Sequence, residues 1–382
     1  MNLLSLILTL GLISGQLIRI PISTGGITLL DLIIIAFCIT GFIKIRGNLG
    51  KPPKFIIAAL VFALVGTDAL IFTPLHLNLN ETLISFSYTI RFLIYIFFAW
   101  LIYLNTFPGF KDKITNSLIT SGIILATLGV LQIIFIPNLM FLTAWGWDPH
   151  YFRIVSTFLD PNFIGAFFVL TLLLIISTKQ KVKSKKFISS VFIVYLALLT
   201  TFSRSSYLMF LFSGLTFSIF KKSEKLIIST IILFLVLLLG FQIYAQTVAK
   251  PRGIDRGQSA SFRINTWQQG LTLFIKFPIL GIGFNSYRYG IKEYNLGDDQ
   301  FLQSHGANTN DSSVLYILST TGIVGLISYS AFIFFLTRSG GRKNIVLIAS
   351  LVGLSIHSIF ANSLFYPFIL IWLLFKGVDT EN

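Results

Sequence analysis

The sequence predicts an all-α, polytopic membrane protein with about twelve transmembrane helices and one large outer loop that carries an interfacial helix. Two observations support this fold class. Hydrophobic residues make up 54% of the 382 positions and charged residues only 11%, a balance that a soluble domain of this size could not bury. Many apolar runs also approach the ~20 residues that a helix needs to cross a hydrocarbon core of ~30 Å.

The apolar runs place the helices in chain order. The predicted spans are residues 2–19, 27–43, 55–73, 83–104, 114–136, 161–178, 187–202, 206–220, 226–245, 313–336, 344–359 and 365–376. Residues 1–245 therefore hold transmembrane helices 1–9, residues 246–312 form the large periplasmic or outer loop, and residues 313–382 hold helices 10–12. The seventh, eighth and twelfth spans are short, which is compatible with tilted or half-inserted helices.

The distribution of basic residues predicts the orientation. Of the 29 Lys and Arg, 18 lie in connections that a twelve-span count puts on one side of the membrane. The positive-inside bias makes that side the cytoplasm, with both termini there. Because most of the net charge of +15 is then a topology signal, no nucleic-acid partner is expected. The lipid bilayer is therefore an expected partner of the chain.

The outer loop contains an amphipathic segment. Apolar residues recur at helical spacing after Arg263, with polar residues between them: Ile264, Trp267, Leu271, Phe274 and Ile275. This pattern predicts a helix that lies on or dips into the outer interface and is stopped by Pro278.

Several arginines lie in outer loops or outer halves of spans, where the insertion bias does not favour them. Arg204, in "TFSRSSYLMF", has three serine neighbours that could cap the eighth span. A purely structural turn would need the serines but not the arginine, so we expect Arg204 to bind an anion. Arg263 is a second candidate because arginine forks match phosphate oxygens, although a surface helix could also use it to bind lipid headgroups.

Arg91 lies inside the fourth span, where a permanent charge needs a partner. The sequence leaves two alternatives open: a structural pair with Asp31 or Asp68, or direct contact with a ligand. Arg153 precedes Asp160-Pro161-Asn162, in which Asp160 suits an N-cap and Pro161 a first helical position. That helix would point its positive end into the outer chamber, or would simply be a capped helix beside a snorkelling arginine.

Two residues near the tenth span, His305 and Asp311, could accept a proton near neutral pH, although a histidine in a polar loop is often only solvated. The single cysteine and the four dispersed histidines favour no metal site. The sequence also lacks a Walker loop, a dinucleotide fingerprint and an HExxH motif. No cofactor and no metal are therefore expected, and an ATP-driven pump or a sugar-nucleotide transferase is disfavoured.

Four motifs follow one another over roughly 85–345. They are "R-x-x-S-T-F-x-D-P-N", "S-R-S", "R-x-x-x-W…F-P-x-x-G-x-G" and "L-Y-I-L-x-x-x-G-I-x-G-L". Their order and topology resemble the superfamily of O-antigen ligases and O-antigen polymerases. The resemblance implies a metal-independent membrane glycosyltransferase of polysaccharide or lipopolysaccharide biosynthesis. It also implies a place in the cell inner membrane, with the active site on the periplasmic side. Its donor would be a glycan on undecaprenyl diphosphate, and its acceptor a saccharide or a lipid-linked saccharide.

The resemblance also implies roles for individual residues. Arg153, Arg204 and Arg263 would surround the diphosphate, while Asp160 and Asn162 match the D/N-P-N corner of the family. Arg91 matches a basic residue in the corresponding span of many relatives. With Trp267 of the third motif, these residues form the expected substrate-binding set, and Arg204, His305 and Asp311 form the expected catalytic set.

One position departs from the ligase pattern. Ligases carry His-Asn directly before the last apolar motif, where this chain has Asn310-Asp311, with His305 five residues before Asn310. Either His305 acts from a shifted position, or Asp311 is the base, or the protein is a polymerase that does not use a histidine in this way.

Two other functions remain as alternatives. A transporter of lipid-linked saccharides would need charged residues near the midplane, and the inner halves of these spans are nearly free of charge. A non-catalytic partner of cell-envelope polysaccharide assembly is the third possibility.

Overall fold

The structure, a computed structural model, describes residues 3–22, 25–47, 49–178, 184–254, 258–303, 305–339 and 344–378, and the side chains of these residues except those of residues 22, 258–260, 300, 303 and 305. Fifteen α-helices account for most of this described chain. The helices that coincide with the predicted spans are α1 (Leu3–Ser14), α2 (Leu29–Lys44), α3 (Lys54–Ile71), α4 (Leu79–Tyr103), α5 (Lys111–Phe135), α6 (Pro161–Ser177), α7 (Lys185–Thr200), α8 (Arg204–Phe220), α9 (Glu224–Tyr244), α13 (Ser313–Ser339), α14 (Ile345–His357) and α15 (Pro367–Val378). The outer loop holds α10 (Gln258–Lys276), α11 (Tyr287–Glu293) and α12 (Asp299–Gln303).

Within the described residues, five helices are long and apolar enough to cross a membrane: α3, α4, α5, α9 and α13. Four further helices are apolar but shorter: α1, α6, α14 and α15. These helices support an all-α membrane protein, and the number of twelve spans stays a prediction. α9 leaves side chains such as Ile228 and Leu239 largely exposed, as a helix in contact with lipid would.

A two-stranded antiparallel hairpin between α1 and α2 was not predicted from the sequence. Strands β1 (Arg19–Ile22) and β2 (Gly25–Thr28) follow an α1 that ends at Ser14, before the predicted boundary at residue 19. The helix stops because the chain turns at Gly15, whose φ is 55°, and Gln16 N donates to Thr157 O at 2.7 Å. A Cβ at Gly15 would lie 2.3 Å from that carbonyl oxygen, so only glycine allows this approach.

The outer loop is attached to the helical core by an aromatic cluster. Phe62 of α3 makes edge-on contacts with Phe92, Phe284 and Tyr329, at centroid distances of 5.5, 5.6 and 5.0 Å. Phe284 belongs to the loop and is buried, as is Phe62. Burial of large aromatic side chains provides much of the stabilisation of such a core. The loop is therefore part of the packed structure.

A break in α13 provides the second attachment. α10 ends at Lys276, before Pro278 as predicted, and the segment 277–283 then docks against the break at Gly322. Four backbone hydrogen bonds join the two parts: Ile323 N to Pro278 O at 2.9 Å, Val324 N to Ile279 O at 3.4 Å, Ile282 N to Ser319 O at 3.0 Å, and Gly283 N to Thr320 O at 2.9 Å. The glycines of the third and fourth sequence motifs thus serve this junction, which positions α10 relative to α13.

Candidate active site

One large cavity collects residues from most of the connections that the motifs occupy. Its volume is about 1380 Å³, above the roughly 300–1,000 Å³ of a typical small-molecule site. The predicted site residues that line it are Arg91, Arg153, Asp160, Asn162, Arg204, Arg263 and Asp311. The arginines thus share one space, although they come from four separate stretches of the chain.

The "S-R-S" corner between α7 and α8 is joined to the start of α6. Ser203 caps α8, accepting a hydrogen bond from Ser206 N, and it donates through Oγ to Asn162 Oδ1 at 2.8 Å. Ser205 Oγ donates to the same oxygen at 3.4 Å, and Ser206 Oγ donates to Asn162 O at 3.1 Å. The side chain and carbonyl of Asn162 therefore hold the corner from which Arg204 projects into the cavity.

Arg153 supports the same corner from the other side. Its Nε donates to Thr201 O at 2.9 Å and its guanidinium donates to Phe202 O at 3.3 Å, while the side chain is buried. The backbone amide of Ile154 also donates to Thr200 O at 3.0 Å. Two hydrogen bonds of Arg153 therefore hold the end of α7, while its place beside the diphosphate stays a prediction.

Asp160 caps α6, as predicted. Its Oδ1 accepts from Asn162 N at 2.6 Å and from Phe163 N at 3.0 Å, with Pro161 in the first turn of the helix. Burial raises the pKa of Asp160, and the two backbone hydrogen bonds lower it again in part. The carboxylate thus stabilises the helix start that presents Asn162.

Arg204 and Arg263 approach each other in the cavity, close enough for their charges to interact. Arg204 also lies 5.4 Å from the ring centroid of Phe241, which suits a cation–π contact. Arg263 projects from α10 and is half-buried. Two positive charges held near each other in a partly buried space repel one another, so an anion between them would be stabilised by both.

Asp148 is a site residue that the sequence reasoning missed. It lies in the α5–α6 connection, lines the cavity and interacts electrostatically with Arg153 and Arg263. Burial raises the pKa of Asp148, although the charges of the two arginines lower it in part. A signal was available, because Asp148-Pro149 repeats the Asp-Pro pair of Asp160-Pro161 in the same outer connection.

Asn310 and Asp311 have different environments. Asn310 is fully buried, and its amide donates to Tyr287 Oη at 2.9 Å and to Thr266 O. Asp311 lies on the cavity wall, where its Oδ2 accepts from Thr266 Oγ1 at 3.1 Å and its charge interacts with Arg263. Asn310 therefore fixes the start of α13 against α10, and Asp311 is available to a bound substrate. The side chain of His305 lies outside the described residues, and its role stays a prediction.

Arg91 forms the structural pair that the sequence left open. Its Nε donates to Asp31 Oδ1 at 2.7 Å, and a second guanidinium nitrogen donates to Asp31 Oδ2. Tyr95 Oη donates to Asp31 Oδ1 at 2.9 Å. The partner is therefore Asp31 rather than Asp68. Arg91 still contributes to the cavity wall, but its charge is balanced by a carboxylate.

Trp267 lies one turn after Arg263 on α10, and its ring contacts a residue of the cavity wall, Phe360. Its ring is 5.8 Å from that of Phe360, and it is not among the residues that line the cavity. Within the described structure, its ring contact is thus with the α14–α15 connection.

The fold and this cavity define a helical, multi-pass membrane protein in which arginines and carboxylates converge at one large polar cavity. Residues 188–330 match the family described as O-antigen ligase, which confirms the predicted resemblance to the O-antigen ligase and polymerase superfamily. The matched segment includes Arg204, Arg263 and Asp311 and excludes Arg91, Arg153 and Asp160. The family indicates a glycosyltransferase-type enzyme of the inner membrane. No curated protein matches the chain significantly.

Proposed function

We propose that the protein transfers a glycan from undecaprenyl diphosphate to an acceptor hydroxyl at the outer face of the cytoplasmic membrane. The observation that carries this proposal is the convergence of Arg204, Arg263 and Asp311 in one cavity. The two cations come from separate elements, the α7–α8 corner and α10. Such a pair matches a diphosphate, whose oxygens lie on two neighbouring phosphorus atoms.

Arg204 and Arg263 would stabilise the leaving group. The bond between C1 of the donor sugar and the diphosphate oxygen breaks, and negative charge grows on undecaprenyl diphosphate. Guanidinium groups already fixed in a partly dry cavity favour that charge without reorganising during the reaction. Arg153 would act mainly by holding the corner that carries Arg204, because its described hydrogen bonds go to backbone carbonyls.

Asp311 would accept the proton of the acceptor hydroxyl as the new bond to C1 forms. Its position on the cavity wall supports this role, and the hydrogen bond from Thr266 orients the carboxylate. Asp311 interacts electrostatically with Arg263, so the proposed base would lie near a cation that binds the donor diphosphate. Asn310 would position Asp311 through its contacts with α10 and Tyr287.

The proposed orientation follows from the sequence. Basic connections on the opposite side from the cavity loops would lie in the cytoplasm by the positive-inside bias, with both termini. The cavity would then open to the periplasm, the side on which translocated lipid-linked glycans would be bound. The polyprenyl tail would lie between apolar helices.

The test uses purified protein in lipid nanodiscs with an undecaprenyl-diphosphate-linked repeat unit and no nucleotide or divalent cation. Longer lipid-linked chains would identify a polymerase, and product formed only after addition of another acceptor would identify a ligase. Arg204→Ala should reduce product at least 100-fold, as loss of one charge-stabilising group does in comparable sites. The control is Lys250→Gln, which removes an exposed cation of the outer loop that does not line the cavity. Full activity of Arg204→Ala would refute the phosphate role.

A further inference from the structure

The cavity continues to a second group of arginines that the proposed reaction does not use. Arg19 of β1 and Arg288 of α11 line the same cavity as Arg204 and Arg263. Tyr88 of α4 is an electrostatic neighbour of both Arg19 and Arg288. Three elements that are distant in the sequence thus meet at this part of the wall, although neither α11 nor the hairpin belongs to the motif that holds Arg204.

These two arginines are held in a partly desolvated setting. Burial lowers the pKa of both Arg19 and Arg288, and the nearby charge of Arg91 lowers that of Arg19 further. Arg91 itself is committed to Asp31 through both carboxylate oxygens. Glu81, which lines a smaller pocket together with Arg288, accepts a hydrogen bond from Asn78 N at 2.9 Å and completes the capping box of α4.

The two groups of arginines line one cavity, and Tyr366 and Asp311 line it as well. Tyr366 interacts electrostatically with Asp160 on one side and with Arg19 and Arg91 on the other. Asp311 is likewise an electrostatic neighbour of both Arg263 and Tyr287. The proposed base thus has one electrostatic neighbour on α10, Arg263, and one on α11, Tyr287.

We propose that Arg19, Tyr88 and Arg288 form a second oxyanion-binding subsite, which holds an acidic group of the acceptor. This inference rests on the proposed function and extends it to the second substrate. The cavity volume of about 1380 Å³ exceeds that of a single small-ligand site, which leaves room for two substrates. The shared chemistry is a phosphate or carboxylate, from the diphosphate of a second lipid-linked glycan or from an acidic sugar. Such an anchor would present the acceptor hydroxyl to Asp311.

Native mass spectrometry of the full-length protein tests the first source, because it counts bound lipids on folded protein. The probe is undecaprenyl diphosphate without a glycan. The wild type should bind two molecules, whereas the double variants Arg19→Gln/Arg288→Gln and Arg204→Gln/Arg263→Gln should each bind one. Lys250→Gln should bind two. The conservative double variant Arg19→Lys/Arg288→Lys should still bind a second molecule in part of the population. It keeps both positive charges and loses only the bidentate geometry of the guanidinium groups.

A second arm tests the other source with a lipid-free oligosaccharide that contains a uronic acid, measured by calorimetry. If the wild type binds one diphosphate only, the inference requires this probe to bind 10- to 100-fold more weakly to Arg19→Gln/Arg288→Gln, the loss expected for charge-assisted hydrogen bonds. If neither probe depends on Arg19 and Arg288, the second subsite is refuted, while binding at Arg204 and Arg263 leaves the donor assignment intact. If diphosphate binding is unchanged in Arg204→Gln/Arg263→Gln, the donor assignment fails instead.

Discussion

Replacing Gly322 by alanine should separate the outer loop from α13. Gly322 has φ 64° and ψ −165°, a conformation that is essentially restricted to glycine. A Cβ there would lie 2.1 Å from Ile279 O and 2.3 Å from Ile279 C, and backbone atoms cannot move aside as a flexible side chain can. The substitution therefore forces either a strained backbone at residue 322 or detachment of the segment 277–283.

The expected cost can be worked out from these contacts. Backbone strain of this kind costs about 1–3 kcal/mol. Detachment would instead lose the four backbone hydrogen bonds of the junction, each contributing about 1 kcal/mol. We therefore expect a loss of about 3–4 kcal/mol in the free energy of unfolding, from either the strained backbone or the lost hydrogen bonds. Since α10 and the start of α13 carry Arg263 and Asp311, glycan transfer should fall as well.

The assay compares Gly322→Ala with Gly253→Ala. Gly253 has φ 66°, but a Cβ there would have nothing within 4 Å, so its substitution tests backbone strain without the clash, at about 1–2 kcal/mol. Thermal unfolding in nanodiscs measures stability, and amide exchange in the segment 277–283 reports detachment. The reasoning is refuted if the two variants unfold at the same temperature and the exchange of this segment is unchanged.

Three further outcomes are expected. Asn162→Ala should lower the free energy of unfolding by about 1–3 kcal/mol and also lower activity, because the hydroxyls of Ser203 and Ser205 lose an acceptor. Melting curves and transfer assays measure the two effects, and an unchanged transfer rate would show that Asn162 does not position Arg204. Asp31→Asn should destabilise the protein by about 3–5 kcal/mol, because it breaks the buried pair with Arg91. If the stability losses of Asp31→Asn and Arg91→Gln simply add in the double variant, the two residues are not coupled. Asp148→Asn should stabilise the protein at pH 7, because a raised pKa means that the ionised carboxyl is disfavoured in the folded state. That gain should vanish below the unfolded pKa of ~4, and a pH-independent gain would contradict the assignment.

Much of the helical framework was predictable from the sequence, because membrane helices depend on local apolar runs. Each predicted span coincides with a helix, and the N-cap at Asp160 and the stop before Pro278 are confirmed. The hairpin at 19–28 was not predictable, since its start depends on the contact of Gly15 with Thr157, more than a hundred residues away. The motif glycines were recognised as a pattern, but their use in the α13 junction appears only in three dimensions.

The candidate site was likewise predictable from the sequence only in part. Residue type alone indicated arginines suited to a phosphate, because a guanidinium stays charged and matches oxyanions wherever the fold puts it. The partners of these arginines appear only in the tertiary structure: Arg91 pairs with Asp31, and Arg153 donates two hydrogen bonds to backbone carbonyls. Arg204 and Arg263 converge because the α7–α8 corner and α10 pack around one cavity. The sequence by itself indicated a helical membrane chain with several arginines outside its basic short connections, since hydropathy and charge are properties of single residues. Only the tertiary structure decided which charges are already balanced, since a partner 60 positions away is chosen by packing.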